Sequence, residues 1–214
     1  MKDLIFSHFK TISNLFLAMA LSIVLLMIRM KLTHSFFYIF LVWNLFLAFI
    51  PFVLSLYLTN QSKLNTFKLL LLSGIWLLFL PNAPYMITDL IHLRLSETYM
   101  VWFDILVVVS FALCSMMCYL YSIRYMKSIL SEHFNPKCVK LFFSVLPFAI
   151  AFGVYLGRFM RYNSWDLVHM PFKILLDFIE CFISPIDHFD FWLFSTGFAS
   201  LLFLTHEIVE RSFK

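Results

Sequence analysis

The chain has 214 residues, 62% of them hydrophobic and 13% charged, with a mean hydropathy of +0.89. A soluble domain is about half apolar and a quarter charged, so this composition excludes a soluble globular fold. Its unbroken apolar runs exclude a membrane β-barrel, whose strands alternate. The net charge of +4 is loop charge that orients a membrane chain rather than a nucleic-acid surface.

What remains is an all-α polytopic bundle in which each span places about 20 apolar residues in lipid. Read from the start, Ile12–Ile28 is the first span, closed by Arg29 and Lys31. It lacks a small-residue cleavage site and reads as an anchor rather than a removed signal. Ser35–Leu58 is the second span, with Trp43, Asn44 and Pro51 inside it. Asn44, near mid-span, reads as a hydrogen-bonding residue between helices. A polar loop of turn composition follows to Lys68. The third span reaches Leu80 and meets Pro81-Asn82-Ala83-Pro84, where a new helical segment is expected to restart, capped by Asn82, and run to Leu95. Trp102–Ser122 is the fourth span, with Asp104 near its start, and Leu141–Leu156 the fifth.

Beyond the fifth span comes a second polar stretch, Gly157-Arg158-Phe159-Met160-Arg161-Tyr162-Asn163-Ser164-Trp165-Asp166. Asp166, His169, Lys173, Asp177, Glu180 and Ser184 then recur at spacings of three and four, one face of a helix. That segment reads as an amphipathic helix along the interface, with a seventh span as the alternative. Phe191–Leu204 is the last span. The expectation is a single membrane domain over 1–214 with six spans and one interfacial helix.

Lysine and arginine orient it. With the N-terminus inside, the inner segments hold Lys2, Lys10, Lys63, Lys68, Arg124, Lys127, Lys137, Lys140, Arg211 and Lys214, and the outer ones only Arg29, Lys31, Arg94, Arg158, Arg161 and Lys173. Both termini are therefore expected in the cytoplasm. The two polar stretches then share the outer side, where all five tryptophans also fall.

Polar groups at membrane depth are costly and mark function by default. Asp89 and His92, three apart, share a helical face and suit acid/base work. Asn82 and Tyr85 open their segment with backbone N–H groups fit for an anion. Arg158 and Arg161, again three apart, suit paired hydrogen bonds to phosphate or carboxylate. Asn163 is placed to cap the next helix, with Asp166 near its positive end. The competing reading is scaffolding, in which Asp89 and Asp166 pair with the two arginines and pin the loops.

The outer histidines and aspartates match no metal signature, and Cys114, Cys118, Cys138 and Cys181 form no disulfide or zinc pattern. No phosphate loop, dinucleotide fingerprint or nucleophile elbow is present, so no cofactor is expected.

Trp43-Asn44-Leu45-Phe46-Leu47-Ala48-Phe49-Ile50-Pro51, Trp76 through His92, and Tyr155 through Asp166 resemble a family of uncharacterised bacterial integral-membrane proteins labelled domain of unknown function 1361. The resemblance runs from the second span to the last. It implies a small multi-pass protein of the bacterial cytoplasmic membrane and brings no activity. Three classes stay open. The first is an outward-facing site for an anionic lipid head group or small anion. The second is an intramembrane enzyme acting on a lipid-linked substrate. The third is an assembly subunit whose ion pairs are scaffold. A transporter would need a polar path, and the inner halves of the spans are nearly free of ionisable residues.

Overall fold

The computed structural model describes residues 8–61, 65–96, 99–162 and 166–212. Their regular structure is all helical, with no strand among the described residues. Six helical stretches are long and apolar enough to cross a membrane. They are α1 (Phe9–Thr33), α2 (Phe40–Thr59, entered through a short 3-10 turn at Phe37–Ile39), the composite stretch Thr66–Leu95, α5 (Val101–His133), α6 (Pro136–Arg158) and α9 (Phe189–Ser212). The protein is an all-α polytopic membrane protein. Its backbone divides into two compact units, residues 1–129 and 130–214.

In the first unit α5 is the axis. Asp104, Val107, Val108, Phe111, Ser115, Cys118, Ser122 and Met126 are all buried along it. These eight lie along one face, and the buried Phe103, Ala112, Tyr119 and Ile123 widen it, as expected of a helix with neighbours on several sides. In contrast, α1 buries one narrow seam, Leu15, Ser22, Leu26 and Arg29. His34 ends α1 in the left-handed region at φ 51°. In α2, Pro51 lies inside the helix. Ser122 donates to the Pro51 carbonyl at 2.9 Å and accepts the Trp76 indole N–H at 2.7 Å. One hydroxyl thus joins three spans without leaving a polar group bare in lipid.

The composite stretch is built from three pieces. α3 (Thr66–Phe79) is capped by the Asn65 side chain, which accepts from the Phe67 N–H. α4 is a single turn, Asn82–Tyr85. A ten-residue 3-10 helix, Met86–Leu95, completes it. Sequence reading expects an α-helix capped by Asn82. Instead Asn82 is the first helical residue, and its side-chain amide donates to the Phe79 carbonyl at 2.9 Å. The backbone stays paired across both prolines: Leu80 N–H bonds to Trp76 O, Ala83 to Leu80 O and Tyr85 to Pro81 O. Ser115 donates to the Ala83 carbonyl.

In the second unit α6 and α9 pack together. α6 buries Val139, Phe143, Leu146, Pro147, Ile150, Ala151 and Val154, and α9 buries Phe191, Ser195, Phe198 and Leu202. Between them in sequence lie the single turn α7 (Asp166–His169) and α8 (Pro171–Ile183). α8 has 13 residues, about 20 Å of helix, too short for a hydrocarbon core of about 30 Å. Phe172, Leu175, Leu176, Ile179 and Ile183 are exposed along it. It is the amphipathic helix, not a seventh span.

Candidate functional site

The structure distributes the sequence-derived residues over both units. Asn82, Tyr85, Asp89 and His92 lie in the first, and Arg158, Arg161 and Asp166 in the second. Asn163 lies outside the described residues.

The first-unit cluster is organised by the 3-10 helix. Such a helix has three residues per turn, so side chains at i and i+3 eclipse. Leu80, Ala83, Met86 and Asp89 follow that spacing from the preceding turns, and all are fully buried. His92 continues the line towards the surface. Asp89 is 1% exposed and accepts the Asn44 side-chain amide at 3.0 Å. Asn44 is therefore the interhelical hydrogen-bonding residue that its mid-span position suggests. His92 Nε2 stands 3.8 Å from the other Asp89 oxygen, and its side chain is 30% exposed. The imidazole packs edge to face against the rings of Phe37 and Phe40, at 6.1 and 4.9 Å. A buried carboxylate beside a half-buried imidazole is an arrangement that can take up and pass on a proton.

Next to it lies a pair that sequence reading missed. Arg29 Nε donates to Asp104 Oδ1 at 3.0 Å, with both side chains buried. Arg29 Nη1 donates to the Ser35 carbonyl at 3.2 Å, and its guanidinium lies 4.7 Å from the centre of the Tyr38 ring. The Tyr38 hydroxyl in turn bonds with Ser96 Oγ at 2.8 Å and donates to the His92 carbonyl at 3.4 Å. Two intramembrane carboxylates are thereby connected through Arg29, Tyr38 and the His92 segment. A signal for this pair was available: Arg29 falls seven residues after Ser22 and fourteen after Leu15 on the one buried seam of α1. A charged residue on such a seam needs an intramembrane partner.

In the second unit, Arg158 is the last residue of α6. The chain then turns back through Arg161, which adopts the left-handed conformation at φ 60°. That turn lets the Tyr162 N–H reach the Leu156 carbonyl at 3.0 Å. The Tyr162 hydroxyl donates to Asp177 of α8 at 2.6 Å, and the bond to that carboxylate holds the phenol in its protonated form and raises its pKa. Lys173 Nζ lies 5.7 Å from the centre of the Tyr162 ring. Arg161 is exposed and makes no hydrogen bond or ion pair among the described residues. Asp166 opens the single turn α7, and its carbonyl accepts from the Met170 N–H at 2.7 Å.

Among the described residues, no three histidine, cysteine or acidic side chains gather as a metal site would require. The four cysteines are free thiols, and only Cys138 is exposed. Burial, with Asp177 and Glu180 nearby, pushes the Cys181 thiol upward in pKa.

No curated protein matches the chain, and no solved structure does. One family does match, over residues 43–205, which takes in every candidate site residue and more than half of the sequence. On that match the chain belongs to the family described as Protein of unknown function (DUF1361).

Proposed function

We propose that this membrane protein recognises an anionic group, either a lipid head group or a small anion, where α6 ends, with Arg158 and Arg161 as its donors. The observation that carries this reading is the Arg161 turn. Its exposed guanidinium rides on a backbone fixed at one side by Tyr162 N–H to Leu156 O and at the other by Tyr162 to Asp177. A planar guanidinium is a strong donor for phosphate or carboxylate. Asn82 and Tyr85 have no part in this proposal: the Asn82 side-chain amide and the Tyr85 N–H serve backbone carbonyls. The lysine and arginine distribution supports an orientation with this end of α6 outside the cytoplasm and both termini inside, in a bacterial cytoplasmic membrane.

Native mass spectrometry of the detergent-purified protein tests it. Wild type is expected to retain a defined anionic species that Arg158→Ala/Arg161→Ala loses while still folded. Equal retention by the two proteins removes the reading.

A second reading draws on the fully buried Asp89 carboxylate beside His92. Here the protein is an intramembrane enzyme on a lipid-linked substrate, with these two residues as acid and base. Lipid extracts of a strain lacking the gene, complemented with wild type or Asp89→Asn, test that reading. An accumulating lipid cleared only by wild type supports it, and identical extracts sink it.

A further inference from the structure

α8 carries three rows of side chains. The first faces its own unit: Ile174 and Cys181 are buried, and Phe178 meets Phe152 of α6 edge to face at 4.5 Å. The second is Phe172, Leu176, Ile179 and Ile183, all exposed, Phe172 by 80% and Ile183 by 75%. Their spacing of four, three and four is that of a seam between two paired helices, where a and d positions recur every 3.5 residues. The third row is Lys173, Asp177 and Glu180. At about 100° per residue it runs a quarter turn away from the exposed apolar row. A helix lying in the interface turns its polar row to the water. The apolar row therefore points sideways, along the membrane plane, rather than down into the hydrocarbon.

We infer that this row pairs with the same row of a second copy of the chain, the two α8 helices running antiparallel. The inference stands apart from the anion reading. Symmetry and charge select this occupant. Two copies inserted with one orientation form a closed pair about a two-fold axis along the membrane normal, and that axis reverses any helix lying in the plane. Phe172 then meets Ile183 of the second copy, and Leu176 meets Ile179, so the row closes on itself. The positions flanking the row fit only this direction. On the polar side they are Lys173 and Glu180, and on the other side Leu175 and Phe182. Antiparallel pairing brings like flanks together, so Lys173 faces Glu180 of the second copy, twice per dimer. Parallel pairing would set both charges against Leu175 and Phe182. Flanking charges of this kind fix direction and partner in paired helices. The Glu180 carboxylate makes no hydrogen bond or ion pair among the described residues. Asp177, the other acid of the polar row, is engaged by the Tyr162 hydroxyl at 2.6 Å. Lys173 Nζ lies 5.7 Å from the Tyr162 ring centre, on a long exposed side chain that can turn to a partner.

Wild-type protein in liposomes is treated with a carbodiimide, which joins a carboxylate to an amine without a spacer. Lys173 and Glu180 are seven residues apart, about 10.5 Å along one helix, too far for such a link within a chain. The band with the mass of two chains is expected to contain a Lys173–Glu180 linked peptide. Its absence from that band, or the absence of the band, overturns the pairing.

Exchange of charge gives the second test, read as Förster transfer between copies labelled at the exposed Cys138. Lys173→Glu and Glu180→Lys each set like charges together at both contacts. Either alone should weaken association about tenfold or more. Mixed with each other, the two variants regain both opposite pairs and should associate like wild type. Recovery on mixing also shows that both variants are folded. A mixture that associates no better than either variant alone overturns the antiparallel pairing, and if the variants fail to fold the carbodiimide result on wild type decides. Wild-type transfer no higher than chance assigns the row to lipid or to a different protein and overturns the proposal.

Discussion

At the scale of single residues, the ion pair Arg29–Asp104 and the turn residue Arg161 give opposite expectations. The pair is fully enclosed, at 3.0 Å, with a further donor bond to Ser35. Removing one partner strands the other charge, which typically costs about 3–5 kcal/mol, whereas replacing both by apolar residues is often neutral. Arg29→Met and Asp104→Leu should each lower the unfolding midpoint in detergent sharply, and the double variant should regain most of the loss. Additive losses would mean the pair is not a unit. Arg161 sits in a backbone region that favours glycine, at φ 60°. A non-glycine residue there costs about 1–2 kcal/mol, so Arg161→Gly should hold or raise stability while abolishing anion retention. Arg161→Ala should abolish retention without that gain. Tyr162 adds a pH dependence. Its pKa is raised in the folded protein by the bond to Asp177. The contribution of that bond is therefore complete below the ordinary phenol value of about 10 and is lost as pH rises through the higher folded value. Alkaline difference spectra of wild type and Tyr162→Phe should differ by one late-titrating tyrosine.

At the scale of elements, the membrane spans were legible because apolar runs of the right length have few other uses. α5 runs on to His133, well past its apolar stretch, and α1 begins at Phe9, because a helix need not end where its apolar run does. The 3-10 form of Met86–Leu95 was not legible. Asp89 and His92 at i and i+3 share a face in an α-helix and in a 3-10 helix alike, so the spacing cannot choose between them. The choice was made by Pro81 and Pro84, which remove two N–H donors, and by Ser115 and Asn82, which take up carbonyls at the break. Asn44 to Asp89 was foreshadowed on one side only, as a mid-span amide seeking a partner. Arg29 to Asp104 joins residues 75 apart, which no local pattern reports. Ser122 illustrates what such single hydroxyls do for the bundle. Ser122→Ala strands the Trp76 N–H and frees the Pro51 carbonyl. An average interhelical hydrogen bond in a membrane is worth about 0.6 kcal/mol, and a buried unsatisfied group costs about 1–3 kcal/mol. The second effect dominates, so Ser122→Ala with Trp76→Phe should be less destabilised than Ser122→Ala alone.

At the scale of the whole molecule, the proposed function depends on which side of the membrane faces the arginines, and the chain carries its own probe. On the proposed orientation six spans return the C-terminus to the side of the N-terminus, and the basic residues of the 124–140 segment are expected to hold that side in the cytoplasm. Cys138 lies at the start of α6, and Arg158 at its other end, across one span. Cys138 is exposed, whereas Cys114, Cys118 and Cys181 are buried, so wild-type protein needs no added cysteine. A membrane-impermeant maleimide should leave intact cells unlabelled and label Cys138 in inverted vesicles, with Cys138→Ser as the blank. That outcome puts the Arg161 turn at the extracytoplasmic leaflet, where an anionic lipid would have to be met. Labelling in intact cells would invert the whole chain. The same site would then face the cytoplasm, within reach of soluble phosphorylated molecules. The small-anion form of the function would gain on the lipid form, because basic side chains at that leaflet meet both classes of ligand.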